Sequence, residues 1–300
     1  MLSFTQFKNE VSKNIKSALS EEFAECEVVT HTVNKPEGSY EGVSVKDRES
    51  GIYPTVNLNS FYDEYIGGKE IEECIGDIAT IIENNSHPEF GFNPMNIVFW
   101  DKAKARIVPY LMNIPNNKEY LSDKITRDIS DDMTMVFAVV VNEDEQGVFS
   151  TKVTKDLLDT WNITADELYE TTIGNLADTN YRFGTIFDAM FNELPIGGIE
   201  NASDSEPMYI LTNEKRQFGA TMILRNDIME TLSQKLGNFY ILPSSVHEVI
   251  ICPAVDGIDP NGFVSLVNDI NGDPDIMDTS DVLSNKVYRY NKDTKKIETI

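Results

Sequence analysis

Residues 142–160 read NEDEQGVFSTKVTKDLLDT: an acidic turn, a short alternating run ending at Val153, then apolar residues at helical spacing. A change of period from two to three or four marks the point where a strand hands over to a helix. Adding 71 carries Asn142, Glu143, Gln146, Asp156 and Thr160 onto Asn213, Glu214, Gln217, Asp227 and Thr231. Subtracting 96 lays Gly51, Thr55 and Asp63 under Gly147, Thr151 and Asp159, so that IYPTVNLNSFYDEY aligns with VFSTKVTKDLLDTW. Three β-hairpin-plus-helix units are therefore expected, in an α+β protein whose mainly antiparallel sheets are covered by helices.

Working outward, Phe4, Phe7, Val11, Ile15 and Leu19 share one face of an expected N-terminal helix. Strands are expected at Val28 to Val33 and Val43 to Lys46, with Pro36-Glu37-Gly38 turning between them, and at Ile52 to Leu58 before a helix carrying Phe61, Tyr62 and Tyr65. Ile71, Cys74, Ile75, Ile78, Ile81 and Ile82 recur at helical spacing. Trp100, Ala103, Ile107, Tyr110 and Leu111 suit a further helix that Pro109 would kink or end.

The continuous apolar run Met133 to Val141 should lie in mid-sheet and pair with Val148 to Val153 across Glu143-Asp144-Glu145. Thr164 and Glu167 form a capping box for a helix over Ala165 to Leu176. Pro195, Gly197, Gly198 and the polar stretch Asn201 to Pro207 read as a linker, giving expected modules 1–125, 126–202 and 203–300. The last holds a strand at Met208 to Leu211, a helix from Asp227 to Leu236 closed by Gly237, and strands at Phe239 to Leu242, Glu248 to Cys252, Val287 to Tyr290 and Ile297 to Ile300.

Fifty acidic against 25 basic residues give a formal charge of −25 over 300 residues, spread without long single-sign runs. Such a surface repels nucleic acid and anionic membrane, whose recognition needs clustered Lys and Arg, and attracts a basic protein or a cation. Cys26, Cys74 and Cys252 are odd in number and far apart, which excludes a disulfide framework and suits a reducing, cytoplasmic setting. No segment has the ~20 apolar residues needed to span a bilayer, and the N-terminus lacks the apolar core of a signal peptide.

Two local patterns suggest chemistry. Asp269, Asn271, Asp273 and Asp275 alternate as oxygen ligands do in the first half of a calcium loop, and Asp278 and Asp281 follow. Pro274 stands where such a loop needs Gly, however, and Ser280 where it needs a bidentate carboxylate. His247 beside Glu248, after Ser244 and Ser245, invites a hydrolase reading, but neighbours on a strand point to opposite faces and no G-x-S-x-G elbow occurs. His31 and His87 have no partner at i+3 or i+4, and Gly67-Gly68 and Gly197-Gly198 lack the setting of a phosphate loop. No cofactor is expected.

The stretch 208–254, MYILTNEKRQFGATMILRNDIMETLSQKLGNFYILPSSVHEVIICPA, resembles a family of bacterial proteins classed only as a domain of unknown function, and SGIYPTVNLNSFYDEYIGGK at 50–69 extends the likeness toward the N-terminus. The resemblance implies a cytoplasmic bacterial protein of the kind associated with gut anaerobes and their mobile elements. It assigns no activity or catalytic residue to carry over, and the acidic stretch 269–281 looks peculiar to this chain. The expected function is non-enzymatic binding of a protein partner, in one version as a mimic of DNA offered to a basic groove. A hydrolase using Ser244 or Ser245 with His247, and a calcium module at 269–281, are the alternatives.

Overall fold

Ser3 starts the first helix, α1 (Phe4–Ala18): its hydroxyl accepts from the Gln6 amide while the Gln6 side chain accepts from the Ser3 amide. The computed structural model describes residues 1–36, 38–46, 53–86, 92–144, 147–255, 257 and 259–300. By its contacts the chain divides into two units, Met1–Ile97 with Val141–Asp144, and Val98–Val140 with Glu145–Ile300.

In the first unit, β1 (Glu27–Lys35) and β2 (Gly38–Lys46) form a hairpin in register from Glu27↔Lys46 to Lys35↔Gly38, and β3 (Thr55–Asn57) joins the far side of β2. Gly38 takes φ +124°, a backbone angle open to glycine without strain. The chain then winds into α2 (Leu58–Ile66), capped by Asn57, and α3 (Ile71–Asn85). Phe7, Val11 and Ile15 of α1 pack with Cys74, Ile78 and Ile82 of α3 in one buried cluster. Burial of each such side chain contributes about 1.5–3 kcal/mol. The Phe61/Tyr62/Tyr65 group belongs to this cluster, with Tyr62 and Tyr65 ringed around Phe4 and Phe7.

The second unit holds two sheets. In the smaller, the long strand β6 (Met133–Asp144) runs between β4 (Ile107–Asn113) on one side and β5 (Thr126–Asp128) and β7 (Gly147–Lys152) on the other. The continuous apolar run at 133–141 is thus central, as its lack of alternation predicts. The expected helix through Ile107, Tyr110 and Leu111 is corrected: helix α4 covers only Trp100–Ala103, and the chain then extends into β4. Pro109 lies opposite Phe137 in a strand whose one described neighbour is β6, so its missing N–H is accommodated at an edge. The short helix α5 (Lys118–Leu121) connects β4 to β5. Residues 145 and 146, within or beside the expected acidic turn, lie outside the described residues, as do Gly51, Ile52 and Glu37.

After β7 come α6 (Lys155–Trp161) and α7 (Ala165–Ala177), the latter with the Thr164/Glu167 capping box. The larger sheet has the order β13-β12-β10-β11-β9-β8 and is antiparallel throughout. Its strands are β8 (Tyr181–Thr185), β9 (Tyr209–Asn213), β10 (Phe239–Leu242), β11 (Val249–Pro253), β12 (Tyr288–Asn291) and β13 (Lys296–Thr299). Helices α8 (Ile186–Met190), α9 (Asn226–Leu236) and α10 (Pro260–Asn271) complete the unit.

The protein is therefore α+β with mainly antiparallel sheets. The third expected unit is corrected: after strand β9 and a turn, the limb expected to complete its hairpin winds as a 3-10 segment, Gly219–Leu224, before α9. Gly219 explains the difference. A Cβ there would collide with Thr212 Oγ1 and the Asn213 amide and lie 2.6 Å from the His247 carbonyl, so the limb enters the core too closely for a regular strand with side chains on both faces.

Candidate functional site

One face of the smaller sheet carries a row of polar and aromatic side chains drawn from distant parts of the chain. Tyr110 stands on β4, and Ser150 and Lys152, two residues apart, project together from β7. Lys152 Nζ sits 3.3 Å from the centroid of the Tyr110 ring and donates to Ser150 Oγ at 3.4 Å, while the Tyr110 and Ser150 hydroxyls are 3.2 Å apart. Phe218 packs edge-on against Tyr110 at 4.5 Å between centroids, and His247 against Phe218 at 5.3 Å. The row ends at His247, whose Nε2 lies 3.3 Å from Asp281 Oδ1.

Local backbone geometry sets this row. Phe218 adopts φ +55°, a left-handed conformation that costs a bulky residue on the order of 1–3 kcal/mol, and Arg216 does the same two residues earlier. The strained turn aims the Phe218 amide at His247 Nδ1, 3.2 Å away. Burial pushes the Lys152 amine down to about 8. The Tyr110 face beneath it favours the charged form and opposes that shift. Among the described residues no carboxylate lies within ion-pair distance of Lys152.

The residues singled out by sequence take definite places. Ser244 and Ser245 are buried; the Ser245 hydroxyl accepts the His247 backbone N–H at 3.0 Å, and the Ser244 carbonyl accepts from Leu283. His247 Nδ1 uses its lone pair on the Phe218 amide, so the ring proton sits on Nε2 and faces Asp281. Both ring nitrogens are thereby engaged away from the two serine hydroxyls. The Glu248 carboxyl is raised above its ordinary range by burial.

Of the acidic stretch, Asp269 and Asn271 occupy the last turn of α10, where Asn271 Nδ2 donates to the Ser284 carbonyl at 3.0 Å and to Asn285 Oδ1 at 2.7 Å. Asp273 accepts the Asp275 amide, Asp278 accepts from Ser280 and is held below the ordinary carboxylate range by those bonds, and Asp281 faces His247. Among the described residues no group of three or more His, Cys, Asp or Glu side chains is placed to hold a metal ion. His31 pairs opposite Gly42 in the first hairpin; His87 lies outside the described residues.

A second surface lies on α8. Phe187, Met190 and Phe191 fall at i, i+3 and i+4, and are 69%, 72% and 70% exposed; Ile196, five residues on, is 54% exposed. Thr185 and Asp188 form a reciprocal cap that fixes this helix on the edge strand β8. Sequence reading passed over these residues because their helix is one and a half turns long, too short for periodicity to register. It also passed over Tyr110, Ser150, Lys152 and Phe218, since no local pattern reports which distant strands will share a face.

A family model described as a family of unknown function (DUF5688) matches residues 4–292. No curated protein and no solved structure matches the chain.

Proposed function

The chain belongs to the DUF5688 family, and we propose that it is an acidic cytoplasmic binding protein whose partner is a basic protein, engaged through the apolar face of α8. The observation that carries this reading is the exposure of Phe187 and Met190 on α8 and of Phe191 at its C-cap. Large apolar side chains presented together at a surface mark interaction sites more often than chance placement does, and aromatic and Met side chains are enriched at interface centres.

Charge selects the partner. Glu193, Glu200, Asp204 and Glu206 are exposed in the segment that follows α8, within a chain of net charge −25. Exposed acidic groups in the segment next to an apolar helix complement a partner that offers an apolar anchor together with Lys and Arg, and they speed its approach. The same field opposes nucleic acid and anionic membrane, and among the described residues no helix is long and apolar enough to cross a membrane. A narrower version makes the partner a nucleic-acid-binding protein, with this chain standing in for DNA.

The test is affinity capture from a bacterial lysate with the wild-type chain and with Phe187→Asp/Phe191→Asp. The expected result is a basic protein retained at low salt, released as salt rises, and lost with the double variant. Capture by the variant of the same partner at the same yield overturns the proposal. Competition with duplex DNA separates the narrower version from the general one.

A further inference from the structure

We propose that Lys152 is a carbonyl-binding amine, forming a Schiff base with a small uncharged aldehyde or ketone while the Ser150 and Tyr110 hydroxyls pass the protons. The geometry supplies each part. An amine bonded at 3.4 Å to one hydroxyl, with a second hydroxyl 3.2 Å from the first, forms a short relay. The Tyr110 ring lies directly under the amine and Phe218 packs edge-on against Tyr110, so the surroundings of Nζ are aromatic and suit an uncharged carbon skeleton rather than an ion. β7, which carries the amine, has β6 as its one described neighbour, so its outer side faces away from the sheet. The chain's acidity disfavours an anionic keto acid and selects a neutral carbonyl compound.

The reaction balances without an oxidant or a reductant. The neutral Nζ attacks the carbonyl carbon, a C–N bond forms as the C–O π bond breaks, and the first amine proton passes through Ser150 and Tyr110 to the oxygen. The nitrogen lone pair then expels that oxygen as water, with the second proton supplied by the amine itself through Ser150. Amine and carbonyl become imine and water. Desolvation of a lysine against aromatic surface is a recognised means of keeping the amine nucleophilic near neutral pH, and the lowered affinity of Lys152 for its proton agrees with this. Among the described residues the polar and titratable groups around Nζ are Tyr110 from β4 and the Ser150 hydroxyl on β7 itself, with Tyr120 of α5 packed on the Tyr110 cluster and the His247–Asp281 pair beyond Phe218.

The test treats the full chain at pH 7 with limiting propionaldehyde and sodium cyanoborohydride, and follows each amine by peptide mass spectrometry. The exposed Lys13 and Lys102 serve as surface references, and the N-terminal amine as a further reference outside the site. The expected result is alkylation of Lys152 at least about tenfold faster than Lys13 or Lys102, in line with an amine that burial pushes down to about 8. Ser150→Ala and Tyr110→Phe, which preserve the packing, should each slow labelling at Lys152 several-fold without changing the reference sites. Labelling of Lys152 no faster than Lys13 and Lys102 overturns the proposal. Labelling that is fast but indifferent to both hydroxyl variants overturns the relay.

Discussion

The phenol of Tyr288 on β12 donates a hydrogen bond to the carboxylate of Asp132, 156 residues earlier at the entrance to β6. Both residues are buried. The Ser130 hydroxyl donates to the same carboxylate at 2.8 Å and the Ser284 hydroxyl at 2.7 Å, so three hydroxyls surround one buried acid. Burial, and then the bond to Asp132, raise the Tyr288 phenol well above its ordinary range, so it is a donor at any physiological pH. Removing the acceptor leaves the fully enclosed Tyr288 O–H without its carboxylate, with only the Ser130 and Ser284 hydroxyls, each 3.1 Å from the Tyr288 oxygen and themselves deprived of the same acceptor, to turn to. Asp132→Ala should cost about 3 kcal/mol or more, and Tyr288→Phe about 1–3 kcal/mol. Urea unfolding at pH 7 measures both, and equal stability of Asp132→Ala and wild type would refute the assignment.

Gly219 lies where a side chain has no room, against Thr212, Asn213 and the His247 carbonyl. Gly219→Ala should therefore destabilise the protein by about 3 kcal/mol or more, since the obstructing atoms include backbone on two sides. The disturbance should reach the Phe218–His247 contact, which a change in the His247 ring-proton resonances would report.

Lys152 bears a pH-dependent cost. Its folded amine titrates at about 8 against an ordinary value near 10.5, so between those pH values the unfolded chain binds more protons than the folded one. Stability contributed by this group accordingly rises with pH across that window and is lowest below it. Lys152→Met should stabilise the protein at pH 7 by up to about 2 kcal/mol, once the cation–π contact with Tyr110 is set against burial, and thermal unfolding should show a higher melting temperature. The advantage should shrink as pH approaches 10.5. An advantage that grows with pH would reverse the sign and refute the argument.

The α8 face should behave differently. Because Phe187, Met190 and Phe191 already face water in the folded chain, replacing all three with Ser removes little buried area, and thermal unfolding should move by no more than about 0.5 kcal/mol. A large loss would show that these side chains are packed, and would remove them as a free surface.

Legibility followed the range of the physics involved. α3, the Thr164/Glu167 cap, the central β6 and the closing Gly237 rest on periodicities and caps that act within a few residues, and each stands where the residues predicted. At Ile107–Asn113 apolar spacing was read as helical, yet pairing with β6 drew the segment into a strand, because tertiary burial outweighs weak local preference. Asp281 stood in the sequence as an oxygen ligand among five others; in the structure it is the partner of His247.

The sequence by itself determined the α+β class, the strongly acidic charge and the helices that carry a capping box or a long apolar period, because composition, caps and period are properties of neighbouring residues. Only the tertiary structure decided that Lys152, Tyr110, Phe218 and His247 share one row, and that Asp132 meets Tyr288. Strand pairing brings together residues tens to more than a hundred positions apart, and that choice is made by burial and hydrogen-bond satisfaction across the whole core.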